Sequence, residues 1–252
     1  IEFISETLKI DKKTENIARD ARYNFFLKHA KNYPNSAVFT AHTRTDNAET
    51  IIYRLIKGTG VQGLQGIPEK RMLGEIPLYR PLLSVSRKEI EDYCNSKGLV
   101  ANTDCSNFDI SYKRNFIRHK IMPLFDEINF QAEKSIDSLS KLAISHTNIV
   151  NEYINSIMNE IYTDNKLLTQ KFMKLSNDVQ HKIIYDAFLK FNLDYDKNKI
   201  ESVLEFIKDN YKAKAGSRHS ITRNLWLFVN SEYIYLINHT EGEKSTEEIV
   251  IT

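Results

Sequence analysis

The chain has 252 residues, 41% hydrophobic and 27% charged with a net charge of +2, which fits an ordinary globular protein of one large domain or two modest ones. No apolar run approaches the roughly 18 to 20 residues of a membrane span, and residues 1–9 lack the succession of a signal peptide, so a cytoplasmic setting is expected. Twenty basic against sixteen acidic residues over 1–128 are too small an excess to establish a polyanion partner, and Cys94 and Cys105 form no C-x-x-C pair, which argues against disulfide, zinc-ribbon and iron–sulfur scaffolds.

Residues 14–32 place Ile17, Ala21, Phe25 and Leu27 at near-helical spacing with Lys and Arg on the other face, predicting a surface helix that ends before Pro34. The run SAVFTAH (36–42) has strand length. A second amphipathic helix is expected over 46–57, with Ile51, Ile52, Leu55 and Ile56 inward and Gly58 as its stop. Helix, strand and helix in succession predict a parallel α/β architecture. Residues 58–68 hold four glycines in eleven positions and read as a tight loop. After a turn-rich stretch to Gly74, IPLYRPLL reads as extended. Ser86 and Glu89 form a capping box opening a helix from Arg87 to about Lys97, stopped by Gly98. A polar connection, NTDCSNFD, leads to a basic helix near 111–120 ending around Pro123. Three helical patterns then follow, near 129–160, 176–192 and 196–210, and the alternating segment 217–237, with Asn230-Ser231 at its turn, predicts a hairpin. The expected organisation is 1–128 as an α/β domain, 129–215 as a helical substrate- or RNA-binding region, and 216–252 as the strand-rich start of a further domain.

Three clusters can carry chemistry. In AHTRTDNAET the strand delivers His42 to its carboxyl end, where open α/β sheets bind ligands, and His42, Asp46, Glu49 and Thr50 share one helical face. Carboxylates so placed can hold Mg²⁺ or clasp an ammonium group; equally, Asp46 and Glu49 are acids favoured in a first helical turn, with His42 as cap. In SYKRNFIRHK, Lys113, Arg114, Arg118 and His119 gather cationic donors suited to phosphate, or else form a solvated basic face. In ARDARY, Arg19 and Arg22 can reach a phosphate or carboxylate, or serve as surface ion-pair partners.

Five stretches in order, ARDARY, AHTRTDNAET, RLIKGTGVQGLQGIP, RPLLSVSRKEIEDYC and NTDCSNFDISYKRNFIRHKIMPL, resemble the tRNA(Ile)-lysidine synthetase family of N-type ATP pyrophosphatases (PP-loop enzymes) over about the first half of the chain. The resemblance implies an adenine-nucleotide α-hydrolase-like fold, a mainly helical region and hairpin behind it, and a ligase that uses ATP and Mg²⁺ to adenylate the wobble cytidine of tRNA(Ile) with a CAU anticodon. L-lysine then replaces AMP. It further implies Asp46 and Arg114 as catalytic residues and Arg22, His42, Gly58, Gly60 and Arg118 as ATP contacts. Asp46 and Glu49 are assigned to lysine, with Asp46 also a Mg²⁺ ligand, and Lys113 and Lys120 to tRNA; a homodimer is possible. Two departures stand out: Thr45 occupies a position where the family carries the first of two paired aspartates, and the S-G-G-x-D-S loop does not occur in the sequence. The expectation is an N-terminally shortened piece that turns over ATP poorly. A cytidine thiolase of the same superfamily, or a non-catalytic RNA-binding module, are the competing readings.

Overall fold

The computed structural model describes residues 2–7, 15–100, 102, 104–191, 193, 196–238 and 247–249. The expected helix start at residue 14, and parts of the tail at 239–246 and 250–252, lie outside them. The chain divides into two compact units, residues 1–147 and 148–252.

In the first unit, α1 (Glu15–Ala30) packs on a three-stranded sheet of order β1-β3-β2. Strand β1 (Val38–Phe39) runs parallel to β3 (Ile76–Tyr79), and β2 (Lys70–Leu73) pairs with β3 antiparallel through a hairpin at Gly74, which sits at φ 59°. The expected all-parallel reading therefore holds for one pair, and β2 lies in the stretch read as turns. The face of α1 that meets the sheet is Tyr23, Phe26, Leu27 and Ala30, so that of the expected set only Leu27 belongs to it; Ile17 is 41% exposed. Helix α2 (Arg44–Lys57) likewise buries Ala48, Ile51 and Ile52 while Leu55 and Ile56 face outward. The glycine-rich stretch is not all loop, because a single helical turn, α3 (Val61–Leu64), forms inside it. Helix α4 (Arg87–Ser96) begins at the expected Ser86–Glu89 capping box.

The basic helix does not end at Pro123. It starts as α5 (Lys113–Phe116), widens over Ile117–Ile121, where Met122 N–H reaches back five residues to Ile117 C=O, and continues as α6 (Met122–Ile128). A proline inside a helix lacks one donor and crowds the preceding turn, and the widened turn accommodates both. Ile117 and Met122 pack with Ala48 and Ile52 of α2 and with Ile136 of α7 (Ala132–Ile161). This packing sets the basic segment against the start of α2.

The expected domain boundary near 128 shifts to 147/148 because residues 132–147 belong to the first unit. Glu133 accepts hydrogen bonds from Arg44 and Thr45, Ser140 donates to Gln65 C=O, and Gln65 donates to Thr147.

The second unit has a core of Leu167, Phe172, Ile183, Phe188, Ile200, Ile207, Leu227 and Ile234, among others. Helices α9 (Asn177–Lys190) and α10 (Lys197–Asn210) match the expected pair. The expected hairpin is β7 (Leu225–Val229) with β8 (Tyr233–Asn238), flanked by β6 (Ser217–Ser220), within a sheet of order β4-β5-β8-β7-β6. On the other edge of β8, β5 (Lys166–Leu168) and β9 (Glu247–Ile249) pair side by side, and the single turn α8 (Thr169–Phe172) follows β5. The hairpin of β4 (Tyr162–Thr163) and β5 went unread. Its turn residues Asp164 and Asn165 both have positive φ, a conformation these side chains tolerate better than most.

Candidate active site

The site is built on the first turn of α2. Thr43, extended at φ −107°, ψ 173°, caps the helix: its hydroxyl accepts from Asp46 N–H, and Asp46 Oδ2 accepts the Thr43 N–H at 2.8 Å and its hydroxyl at 2.9 Å. The cap is therefore Thr43, not His42. This leaves Asp46 Oδ1 turned away from the cap, and one turn on, Glu49 lies on the same side with no exposure at all.

Packing of α5 and the widened turn on α2 brings the two expected clusters into one ion-paired quartet. Arg118 grips Glu49 with a two-pronged contact, Nε to Oε1 at 2.6 Å and Nη2 to Oε2 at 2.9 Å, and reaches Asp46 Oδ1 at 3.2 Å. Arg114 joins the same carboxylates at 3.3 Å and 3.2 Å. Burial opposes the Arg118 charge, yet the hydrogen bonds and charge of Glu49, with Asp46 beyond it, push its pKa up. A buried carboxylate is stable only when paired and hydrogen-bonded, and the two guanidiniums supply that.

Beside the quartet opens a cavity of about 440 Å³, lined by His42, Glu49, Thr50 and Arg114 and by Arg19, Arg54, Arg71 and Arg80, with Tyr53, Ile67 and Pro68 as further walls. That volume falls in the range of small-molecule sites. His42, held through Nδ1 at 2.9 Å from the Thr40 hydroxyl, has its pKa lowered to about 4 by burial and then by the Arg80 charge, so it is neutral near pH 7.

The other expected contacts fall elsewhere. Arg22 is exposed and outside the cavity lining, and so are Gly58 and Gly60. The glycine stretch is tied down by α2 instead: Asn47 Oδ1 accepts Ile67 N–H, and Arg54 donates to the carbonyls of Gly63 and Gly66. Lys113 and Lys120 are exposed on the basic helix, while His119 stacks on Phe108 and bonds Asn107 C=O. Sequence reasoning missed Arg54, Arg71 and Arg80. Arg54 had a signal, being one turn beyond Thr50 on the site-facing side, and so did Arg80, a charge among apolar residues at the end of a strand.

The donor set does not fit Mg²⁺. Asp46 Oδ2 is committed to the cap, Oδ1 and both Glu49 oxygens face guanidiniums, and among the described residues no group of three His, Cys, Asp or Glu side chains could hold a metal ion. Among the described residues no helix is long and apolar enough to cross a membrane. Cys94 is a free thiol on α4, and the side chain of Cys105 lies outside the described residues.

Residues 1–125 match the PP-loop domain family. A tRNA(Ile)-lysidine synthase of Francisella philomiragia is 30% identical over 202 residues, 79% of this chain and 50% of that protein. Another, from Thermotoga sp. (strain RQ2), is 37% identical over 154 residues, 61% of this chain and 35% of the relative. A third, from Pseudomonas fluorescens, is 47% identical over 110 residues, 44% and 24% respectively. The chain thus spans at most about half the length of these relatives, and an alignment of 202 residues carries the likeness past the first 128. Residues 1–125 thus match the PP-loop domain family, and the sequence is similar to the tRNA(Ile)-lysidine synthases over up to 79% of its length.

Proposed function

We propose that this chain carries part of an ATP-dependent ligase that joins L-lysine to the wobble cytidine of tRNA(Ile) with a CAU anticodon, in the cytoplasm. The C2 oxygen of the cytidine attacks the α-phosphorus of ATP, releasing pyrophosphate. The ε-amine of lysine then adds at C2 and AMP leaves, with the amine's proton passing to solvent.

The observation that supports this reading most is the quartet: two segments more than 60 residues apart in sequence meet beside a cationic cavity at the N-terminus of α2. The roles follow from exposure. Glu49 is fully buried and saturated, so it orients Arg114 and Arg118, whereas Asp46, 20% exposed on its side chain, is the carboxylate within reach of an incoming ammonium group. Arg114 lines the cavity and is placed to offset charge developing on a phosphate. His42 offers a neutral imidazole, a hydrogen-bonding group without a charge. Lys113 and Lys120, exposed on the same helix, suit an RNA backbone.

The test is transfer of labelled lysine to a tRNA(Ile) transcript by the full-length enzyme. Asp46→Asn, which keeps shape and removes charge, is expected to abolish transfer with the fold intact by circular dichroism. Lys120→Ala is expected to weaken tRNA binding and flatten its salt dependence by about one unit of slope while sparing the rate at saturating tRNA. Near-normal turnover by Asp46→Asn would remove the assignment.

A further inference from the structure

Outside the quartet, the cavity holds a second set of cations that the reaction above leaves without a role. Arg19 comes from α1, Arg54 from α2, Arg71 from β2 and Arg80 from the end of β3. Tyr23 gathers three of them. Its ring centroid lies 4.9 Å from the Arg19 guanidinium carbon and 4.5 Å from that of Arg71, and it stands close enough to Arg80 for each to bear on the other's pKa. Arg80 is 1% exposed and donates through Nη1 to Pro68 C=O, but its buried Nε meets no acceptor, and neither does the buried Nε of Arg71.

Among the described residues the only carboxylate lining the cavity is Glu49, already committed to Arg114 and Arg118. Four further guanidiniums therefore gather at the cavity with no counter-charge from its walls among the described residues. Burial and then neighbouring positive charge lower the pKa of Arg54, burial leads the same shift at Arg80, and the field that holds His42 neutral has the same origin. Like charges gathered in a partly buried cavity carry a cost that a bound anion would remove.

We propose that this cavity is a phosphate-ester site in which the guanidiniums of Arg19, Arg54 and Arg71 meet the phosphate and the buried charge of Arg80 stands behind them. Tyr53 and Pro68 supply an apolar wall for the attached sugar or base. The inference rests on the reading that nucleotides are handled here, and it adds residues and a ligand class to that reading. The ester comes either from a free nucleotide or from the backbone of an RNA.

Calorimetric titration of the full-length protein with AMP, with inorganic phosphate and with a short anticodon stem–loop RNA, in the absence of lysine and ATP, tests it. Arg71→Gln is the variant of choice because Arg71 is only half-buried, whereas loss of the fully buried Arg80 risks the fold; Lys88→Gln, exposed on α4, is the control. The expected result is a loss of about tenfold or more in affinity on Arg71→Gln, with Lys88→Gln unchanged. A loss for AMP or phosphate identifies a free nucleotide, and a loss for the RNA alone identifies a backbone phosphate. In parallel, the His42 imidazole resonances, assigned by their disappearance in His42→Gln, are expected to move toward the protonated form as the anion binds. If Arg71→Gln binds all three probes as the wild type does, if none binds the wild type at millimolar concentration, or if the His42 signals stay put, the proposal is overturned. Turnover is not measured, so failed lysine transfer beside an intact Arg71-dependent affinity would count against the ligase reading and not against this site.

Discussion

His42 shows how a single side chain reports the electrostatics of its surroundings. Its pKa in the fold, about 4, lies below the ordinary value near 6.5, because burial and the Arg80 charge disfavour the imidazolium. The depressed value means that the neutral form is preferred by the folded state. Its contribution to stability is complete above pH 6.5 and is lost as pH falls toward about 4, where the unfolded chain takes up a proton that the folded one refuses. Urea midpoints measured across that window should fall in the wild type, and less steeply in His42→Gln; equal slopes would show that other groups set the acid limit. His42, Asp46, Glu49, Arg114 and Arg118 were legible in the sequence because each sits at a recognisable spacing within a short motif. What spacing could not show is that the acids and arginines neutralise each other. Arg71 carried no local signal, and the signals at Arg54 and Arg80 did not show that the three, from separate elements, become neighbours in the fold.

At the scale of elements, the glycine stretch separates two kinds of glycine. Gly66 has φ +70°, and a Cβ there would come within 2.1 Å of Asn47 Oδ1, the atom that holds Ile67 N–H; at Gly60 nothing lies within 4 Å and φ is negative. Gly66→Ala should cost roughly 1 to 3 kcal/mol or more in denaturant unfolding, combining left-handed strain with a broken Asn47 contact, while Gly60→Ala should be near neutral. Equal costs would mean that the stretch does not depend on its tie to α2. The elements legible beforehand were those with local punctuation: the Ser86–Glu89 box, Gly58, Gly98, and the alternation of β7 and β8. Strands β2 and β4 escaped because each is short and paired across a two-residue turn. The run from 113 to 128 misled because the widened turn removes the conflict that a proline normally creates.

For the molecule as a whole, the two units have separate cores. Residues 154–236 supply one cluster, and the clusters around Tyr23 and Ala48 lie in the other unit. Trp226, the single tryptophan, is on β7 of the second unit and is a native reporter for it. Phe172→Ala, at a position with no exposure, should lower stability by about 3 to 5 kcal/mol, read as a shift in the Trp226 fluorescence transition. An unmoved transition would place Phe172 outside the cooperative core. The expected boundary followed a change in composition near 128, but packing draws it nineteen residues later, after Thr147. A continuous helical pattern gives no internal mark of which partner each of its turns will meet.

That late boundary bears on the departure at position 45. The Thr45 hydroxyl donates to Glu133 Oε2 at 2.8 Å and accepts Arg87 N–H at 3.0 Å, while Arg44 holds Glu133 Oε1 at 2.8 Å. A negative charge thus does stand beside residue 45, lent by a helix nearly ninety positions downstream. Aspartate at 45 would set carboxylate against carboxylate at hydrogen-bonding distance. The two positions therefore share a single acid between them, and an aspartate at 45 would fit only beside an uncharged residue at 133.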